Sequence, residues 1–223
     1  MIIDGFELLF LGHSGFLIKT ENGQKIVIDP YNVSNNVEKV ELILITHNHY
    51  DHCSIKDIQK LSKKGTLIVL PPDAQSKITK IQDIQMEIVE VGDKINFRNF
   101  KIETFPAYNL NKKYHPKSDG CFGFLIKFNG LVFYHAGDSD LIPEMEKLTG
   151  YGKHGNKFIV MLPVSGKVVM NVDEAVEAAC LIKPDLVIPM HYGAGVVGTV
   201  EDAKKFVRIC AEKKINGEVL EKI

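Results

Sequence analysis

Six consecutive residues, His47-Asn48-His49-Tyr50-Asp51-His52, hold three of the chain's eight histidines and one carboxylate. They follow the apolar run Leu42-Ile43-Leu44-Ile45-Thr46, which is short, branched and uninterrupted and so reads as a buried strand. An extended backbone past Thr46 has a side-chain period of two, which would turn His47, His49 and Asp51 to one side. His52 then falls at the turn into a helix, where Ser54 caps and Asp57 completes a capping box. Imidazole nitrogens and a carboxylate gathered at a strand end are the donor set of Zn²⁺ or a similar divalent ion. Asp51, beside His52, can hold a second ion or act as a base. A polar loop with scattered histidines is the plainer alternative, and it leaves the density of donors unexplained.

Other donors are spread along the chain. Asp138 closes Tyr134-His135-Ala136-Gly137-Asp138, where a carboxylate can bridge two cations or serve as a turn aspartate capping a helix near Pro143. His191 follows the apolar run Leu186–Met190 and precedes Gly193, Gly195 and Gly198, so it can ligate a metal at a sheet edge; a core or solvated histidine is the alternative. His13, in Gly12-His13-Ser14-Gly15, is as readily a structural histidine bonded to backbone. His135 reads as support for a ligand rather than as one. His154 reads as a solvated loop residue. Lys112, Lys113 and Lys117 surround His115, and Lys167 follows Ser165-Gly166. They can receive an anionic group such as phosphate, or form an exposed basic loop. No Gly-x-Ser-x-Gly elbow is present, and Cys53 reads as a buried residue at a helix start.

Taken with Gly12-His13-Ser14-Gly15-Phe16, Pro106-Ala107-Tyr108-Asn109, Tyr134-His135-Ala136-Gly137-Asp138 and Pro189-Met190-His191-Tyr192-Gly193, the histidine motif resembles the metallo-β-lactamase-fold hydrolase superfamily. Within it, the chain is most similar to the branch containing ascorbate-6-phosphate lactonase-like proteins. The resemblance runs from about residue 6 to the C-terminus. It implies that His47, His49 and a third ligand hold one ion, that Asp51, His52 and His191 hold another, and that Asp138 bridges. Many members carry a histidine where this chain has Asn109, a poorer zinc donor, so either His115 folds back to complete the first set or Asn109 leaves that site weakened, with one strong metal site or a labile pair. His13 lies near the metal in that branch, which implies a contact with a ligand or with substrate. The implied cofactor is one or two divalent ions, Zn²⁺ first, with Mn²⁺ or Fe²⁺ also suited to the carboxylates. The implied chemistry is hydrolysis of a small ester, lactone or phosphoester by water activated on the metal, with Asp51 orienting that water or taking its proton. A phosphodiesterase on small or lipid-like phosphodiesters and a metal-binding protein without turnover are the competing readings.

The elements that must position these residues can be read from the pattern. A chain of 223 residues, 45% apolar and 25% charged, suits a soluble globular protein of one domain, residues 1–223, or two tightly fused halves. Its net charge of −1 gives no reason to expect nucleic acid as a partner, which with the lack of room for an inserted domain argues against a nuclease. Four widely spaced cysteines without a Cys-x-x-Cys pair read as thiols of a reducing compartment, and the N-terminal residues lack signal-peptide character. A cytoplasmic protein acting on a small molecule, with no membrane partner and homo-oligomerisation left open, is the expectation. Short apolar strands fill the first and middle thirds, with tight-turn signals at Asn22-Gly23 and Asn129-Gly130. Capping boxes at Asn171/Glu174 and Thr199/Asp202 start two late helices, the first burying Val172, Ala175, Val176, Ala179 and Cys180. The fold class expected is α/β, and the resemblance implies a four-layer αββα sandwich of two mixed sheets flanked by helices.

Overall fold

The computed structural model describes residues 1–153 and 155–223; the loop reading of His154 lies outside the described residues. Two compact units are formed, residues 1–89 with 220–223, and residues 90–219.

The first unit is a seven-stranded sheet whose spatial order follows the chain: β1 (Ile2–Ile3), β2 (Phe6–Gly12), β3 (Gly15–Lys19), β4 (Lys25–Ile28), β5 (Leu42–Leu44), β6 (Leu67–Leu70) and β7 (Gln85–Ile88). The first four pair antiparallel and the last four parallel, so β4 is where the sheet changes sense. Asn22-Gly23 turns β3 into β4, with Gly23 in the left-handed region and its amide on Thr20. A parallel pair cannot be closed by a hairpin, and α1 (Ile55–Leu61) makes the crossover from β5 to β6, while the short α2 (Gln75–Ile78) lies between β6 and β7. Ile58 and Leu61 of α1 pack on Val27, Ile43 and Ile68 of the sheet, a fully buried apolar cluster.

Two local expectations need correction. Regular strand β5 stops at Leu44, and residues 46–52 run as bends and a turn in which the amides of His52 and Cys53 both donate to His49 O. His47, His49 and Asp51 are therefore arranged by a turn, not by strand alternation. Ser54 does cap α1, accepting from Asp57 N at 3.4 Å. The reciprocal half of the box is missing, because the Asp57 carboxylate accepts instead from the amides of Asn32 and Val33 at 2.9 and 3.0 Å. That choice ties the segment after β4 to the start of α1.

The second unit is a six-stranded sheet, also in chain order: β8 (Lys94–Phe97), β9 (Phe100–Pro106), β10 (Phe122–Phe128), β11 (Leu131–His135), β12 (Lys157–Pro163) and β13 (Leu186–Met190). β8 to β11 are antiparallel, and β11 to β13 are parallel. Asn129 and Gly130, both at positive φ, make the β10–β11 turn in the conformation that matches strand twist. Both predicted capping boxes are complete, at Asn171 for α3 (Val172–Ile182) and at Thr199 for α4 (Val200–Glu212). The buried face of α3 includes Ala178 and Ile182, while Cys180, expected on it, is only half-buried. Two mixed sheets with helices are the α/β arrangement expected of a metallo-β-lactamase-like fold. No disulfide links the cysteines, and among the described residues no helix is long and apolar enough to cross a membrane.

Candidate functional site

In the first unit one buried carboxylate organises the histidine motif. Asp29 follows β4 at a positive φ of 44° and accepts three hydrogen bonds: from Thr46 N at 2.9 Å, from Thr46 Oγ1 at 2.6 Å and from His52 Nδ1 at 2.8 Å. An ionised carboxylate only accepts, so the single hydroxyl proton of Thr46 goes to Asp29. The Thr46 oxygen, 2.9 Å from His47 Nδ1, must then accept a proton from that ring. Both His47 and His52 are thereby held with hydrogen on Nδ1 and a lone pair on Nε2. Carboxylate-to-imidazole bonds of this kind fix the tautomer and orientation of metal-binding histidines.

His47 Nε2 lies 3.1 Å from His49 Nδ1. Two nitrogens on one tetrahedral zinc, with bonds of about 2.0 Å, stand about 3.3 Å apart. Such a pair of imidazole nitrogens, turned on each other in a largely buried turn, suits a shared cation. Asp51, also buried, has Oδ2 3.1 Å from Nε2 of the fully buried His13. His13 has φ 57° and its ring is edge-on to His52 at 5.4 Å, so the Gly12–Gly15 turn joins the donor set. A left-handed conformation at a non-glycine residue costs free energy, and such residues concentrate at functional sites.

In the second unit the shared group is Asp138. Its Oδ2 is 3.1 Å from His191 Nε2 and 3.5 Å from His115 Nε2, and all three residues are buried. Asp138 does not cap the turn at Pro143–Leu148, where Ile142 stands at the cap without a side-chain bond. His191 Nδ1 is 2.9 Å from Ser165 Oγ, a hydroxyl able to accept the Nδ1 proton and leave Nε2 bare. Both His115 and His191 have positive φ, 56° and 63°. A Cβ at Gly198 would stand 2.6 Å from His191 O, so only glycine lets the loop close over that residue.

Asn109 braces the loop that delivers His115. Its amide donates to His115 O at 2.7 Å, and its Nδ2 donates to Tyr114 O at 2.8 Å and to Val168 O at 2.6 Å. Its Oδ1 is buried and, among the described residues, accepts no hydrogen bond, a condition that a cation or a water relieves. His135 Nδ1 accepts from Gly137 N at 3.2 Å and so shapes the turn that presents Asp138.

The lysines of this loop are not the free cations that an anion-binding loop would offer. Lys112 is paired with Asp140 and with Glu174, the latter at 3.1 Å. Lys117 reaches Glu144 at 2.8 Å and lies over the Tyr108 ring at 4.6 Å, while Lys113 lies over Tyr114 at 5.3 Å. Burial raises the Glu144 carboxyl, but the bonds from Lys117 and Tyr108 outweigh it and leave its pKa lowered. Lys167 is exposed and has no ion-pair partner among the described residues. Burial also pushes the Cys53 thiol up to about 11, as suits a packed residue rather than a nucleophile.

Sequence reasoning named candidate donors but missed what holds them: Thr46, Ser165, Asp140 and Glu144 had no assigned part, and Glu174 only its place in a capping box. Asp29 had no assigned part either. The available signal for its role is that the apolar runs 25–29 and 42–46 end in Asp29 and Thr46.

Residues 7–191 match the family model described as a beta-lactamase superfamily domain. A UPF0173 metal-dependent hydrolase from Nanoarchaeum equitans is 30% identical over 222 residues, covering 97% of each chain. Among solved structures, a Parabacteroides distasonis protein assigned as a metal-dependent hydrolase superposes with a TM-score of 0.81 at 29% identity, over 97% of this chain and 94% of that one. CmlA, a diiron β-hydroxylase from Streptomyces venezuelae, has a TM-score of 0.75 at 16% identity over 99% of this chain and 53% of its own, a likeness of fold. The chain belongs to the metallo-β-lactamase-fold superfamily, among its metal-dependent hydrolases.

Proposed function

We propose that this protein hydrolyses a small ester or lactone at a centre of two divalent ions, with residues 1–223 acting as one functional domain. In this reading the ligands would be His47, His49, Asp51 and His52 of the first unit and His115, Asp138 and His191 of the second. The observation that carries it is Asp138 Oδ2, turned on the Nε2 atoms of two histidines at 3.1 and 3.5 Å, as a shared carboxylate would be. In this reading His115 rather than Asn109 would be the third donor of the first set, since imidazole is a better zinc donor than a neutral amide oxygen and His115 Nε2 lies 3.5 Å from Asp138 Oδ2. The metal, when bound, lowers the pKa of water toward neutrality and stabilises negative charge developing on the substrate oxygen. Asp51 orients the attacking water and accepts its proton, with His13 holding the carboxylate from behind. Asp29 and Thr46 keep the donor nitrogens of His47 and His52 unprotonated, and Ser165 does the same for His191.

Zinc suits the imidazole-rich set. The carboxylates also suit manganese or iron, and the same fold carries two irons in CmlA. A phosphodiester substrate has less support: of the three lysines around His115, Lys112 and Lys117 are engaged with carboxylates, leaving Lys113 and Lys167 for an anionic group. The test is elemental analysis of the purified protein beside an assay on lactones and esters. Two metal equivalents in wild type, falling to one in His115→Ala with loss of turnover, are expected. A closed one-metal site with no turnover on any ester, lactone or phosphodiester would favour a metal-binding protein instead.

A further inference from the structure

The tyrosine inside the histidine motif does none of the work described so far. Tyr50 stands between His49 and Asp51 and is 62% exposed, a large aromatic group left in water beside buried donors. Its ring meets that of Tyr31 edge-to-face at 5.8 Å, and the Tyr31 ring meets that of His13 in the same way, also at 5.8 Å. His13 in turn contacts Asp51 at 3.1 Å. A continuous file of rings thus leads from the carboxylate out to solvent, all within the first unit.

That file is held from several directions. Tyr31 lies between Asp29, fixed by Thr46 and His52, and Asn32 and Val33, whose amides are bound by Asp57 of α1. Lys222 Nζ adds a bond to Asn32 O at 2.8 Å. Beside Tyr50, Asn48 Nδ2 donates to Asp73 at 2.6 Å and Asn48 O accepts from Lys77. Packing does not require Tyr50: its side chain is exposed, and the α1 cluster is complete without it. An aromatic surface ordered in advance, beside candidate donor residues, binds apolar rings at little entropic cost.

We propose that Tyr31 and Tyr50 form the wall that receives the non-reacting part of the substrate, and that this part carries a flat apolar ring. The inference rests on the hydrolase reading for its site and adds the substrate class. It favours an aryl-bearing ester or lactone over a small, highly charged sugar phosphate.

The chain has no tryptophan and seven tyrosines, so ligand stacking on this pair is read directly in tyrosine fluorescence. The metal-loaded protein is titrated with phenylacetate and with acetate, which share the carboxylate and differ in the ring. Hydrolysis of matched phenyl-substituted and unsubstituted γ-lactones is measured alongside. Wild type is expected to prefer the ring-bearing member of each pair, and Tyr50→Ala to lose about five-fold of that preference, while Tyr50→Phe keeps it. Equal affinity of wild type for phenylacetate and acetate, or an undiminished preference in Tyr50→Ala at unchanged metal content, overturns the proposal even if lactones are hydrolysed. A ring preference that depends on Tyr50, found without turnover on any lactone or ester, sustains the wall and removes the hydrolase reading instead.

Discussion

Asp29 shows how much of the proposed metal site is decided one bond away from the candidate donors. With three accepted hydrogen bonds it fixes the protonation of two imidazoles at once. An asparagine in its place has only one oxygen and brings an amide that must face Thr46 or His52 donor-to-donor. Asp29→Asn is therefore expected to weaken metal binding about 10- to 100-fold without removing any proposed ligand, as measured by competition with a chelator of known affinity. Asp138→Asn should do more, because the carboxylate turned on both His115 and His191 is itself lost. Turnover at least about 10³-fold below wild type is expected, and activity within about ten-fold would refute a shared carboxylate. The candidate donors stood out in the sequence because few structural needs place three histidines and an aspartate in six positions. Their supports were not, since a threonine or serine beside a ligand looks like any other until the partner atom is known. Asn109 was legible only as a missing histidine; its bracing of His115 depends on a fold-back over six positions that spacing does not reveal.

At the level of elements, the loop from Ala107 to Gly120 carries most of what composition misread. Its lysines suggested either a solvated surface or an anion receptor, yet two of them act as clamps, on Asp140 with Glu174 and on Glu144. Glu174 has a double duty, because the same carboxylate closes the capping box of α3 on Asn171 N. The Lys112–Asp140 contact is mostly buried, and removing one partner leaves a carboxylate poorly compensated. Lys112→Met should cost about 2 kcal/mol of stability in denaturant unfolding and lower metal occupancy at the set that includes His115. An unchanged midpoint and full occupancy would mean the clamp is incidental. Strands and helices, by contrast, were read nearly in full, since hairpin pairs such as Asn129-Gly130 and boxes such as Thr199/Asp202 are local chemistry. The exception was the path after β5: an apolar run ending in Thr46 does not reveal that regular pairing stops at Leu44.

For the molecule as a whole, buried acids that stay protonated set an alkaline limit. Burial raises Cys53 to about 11, Cys210 to about 12 and Tyr192 to about 12, while the same groups ionise near their ordinary values once the chain is unfolded. Between about pH 9 and 11 the unfolded chain therefore holds fewer protons than the folded one, and stability falls as pH rises. The thermal midpoint should decline across that window, and Cys210→Ala should make the decline shallower; a flat profile would contradict protonated burial. Metal should act in the opposite sense, adding about 2.7 kcal/mol at a free concentration about one hundred times its dissociation constant, and chelation should lower the midpoint accordingly.

The chain's return to its own beginning has a consequence for the order of events during synthesis. Residues 220–223 belong to the first unit: Lys222 bridges Phe10, Ile223 N donates to Phe10 O at 3.1 Å, and Ser34 Oγ donates to Ile223 O at 2.6 Å. A ribosome delivers residues 1–89 well before these four, so the early sheet must wait with β2 and the Asn32 segment unlatched while all of residues 90–219 are made. The latch then closes on Asn32, next to Tyr31 and within three positions of Asp29. Nascent chains stalled before residue 220 would accordingly be more open to proteolysis around residues 29–34 than the released protein, although every donor of the histidine motif had long been translated.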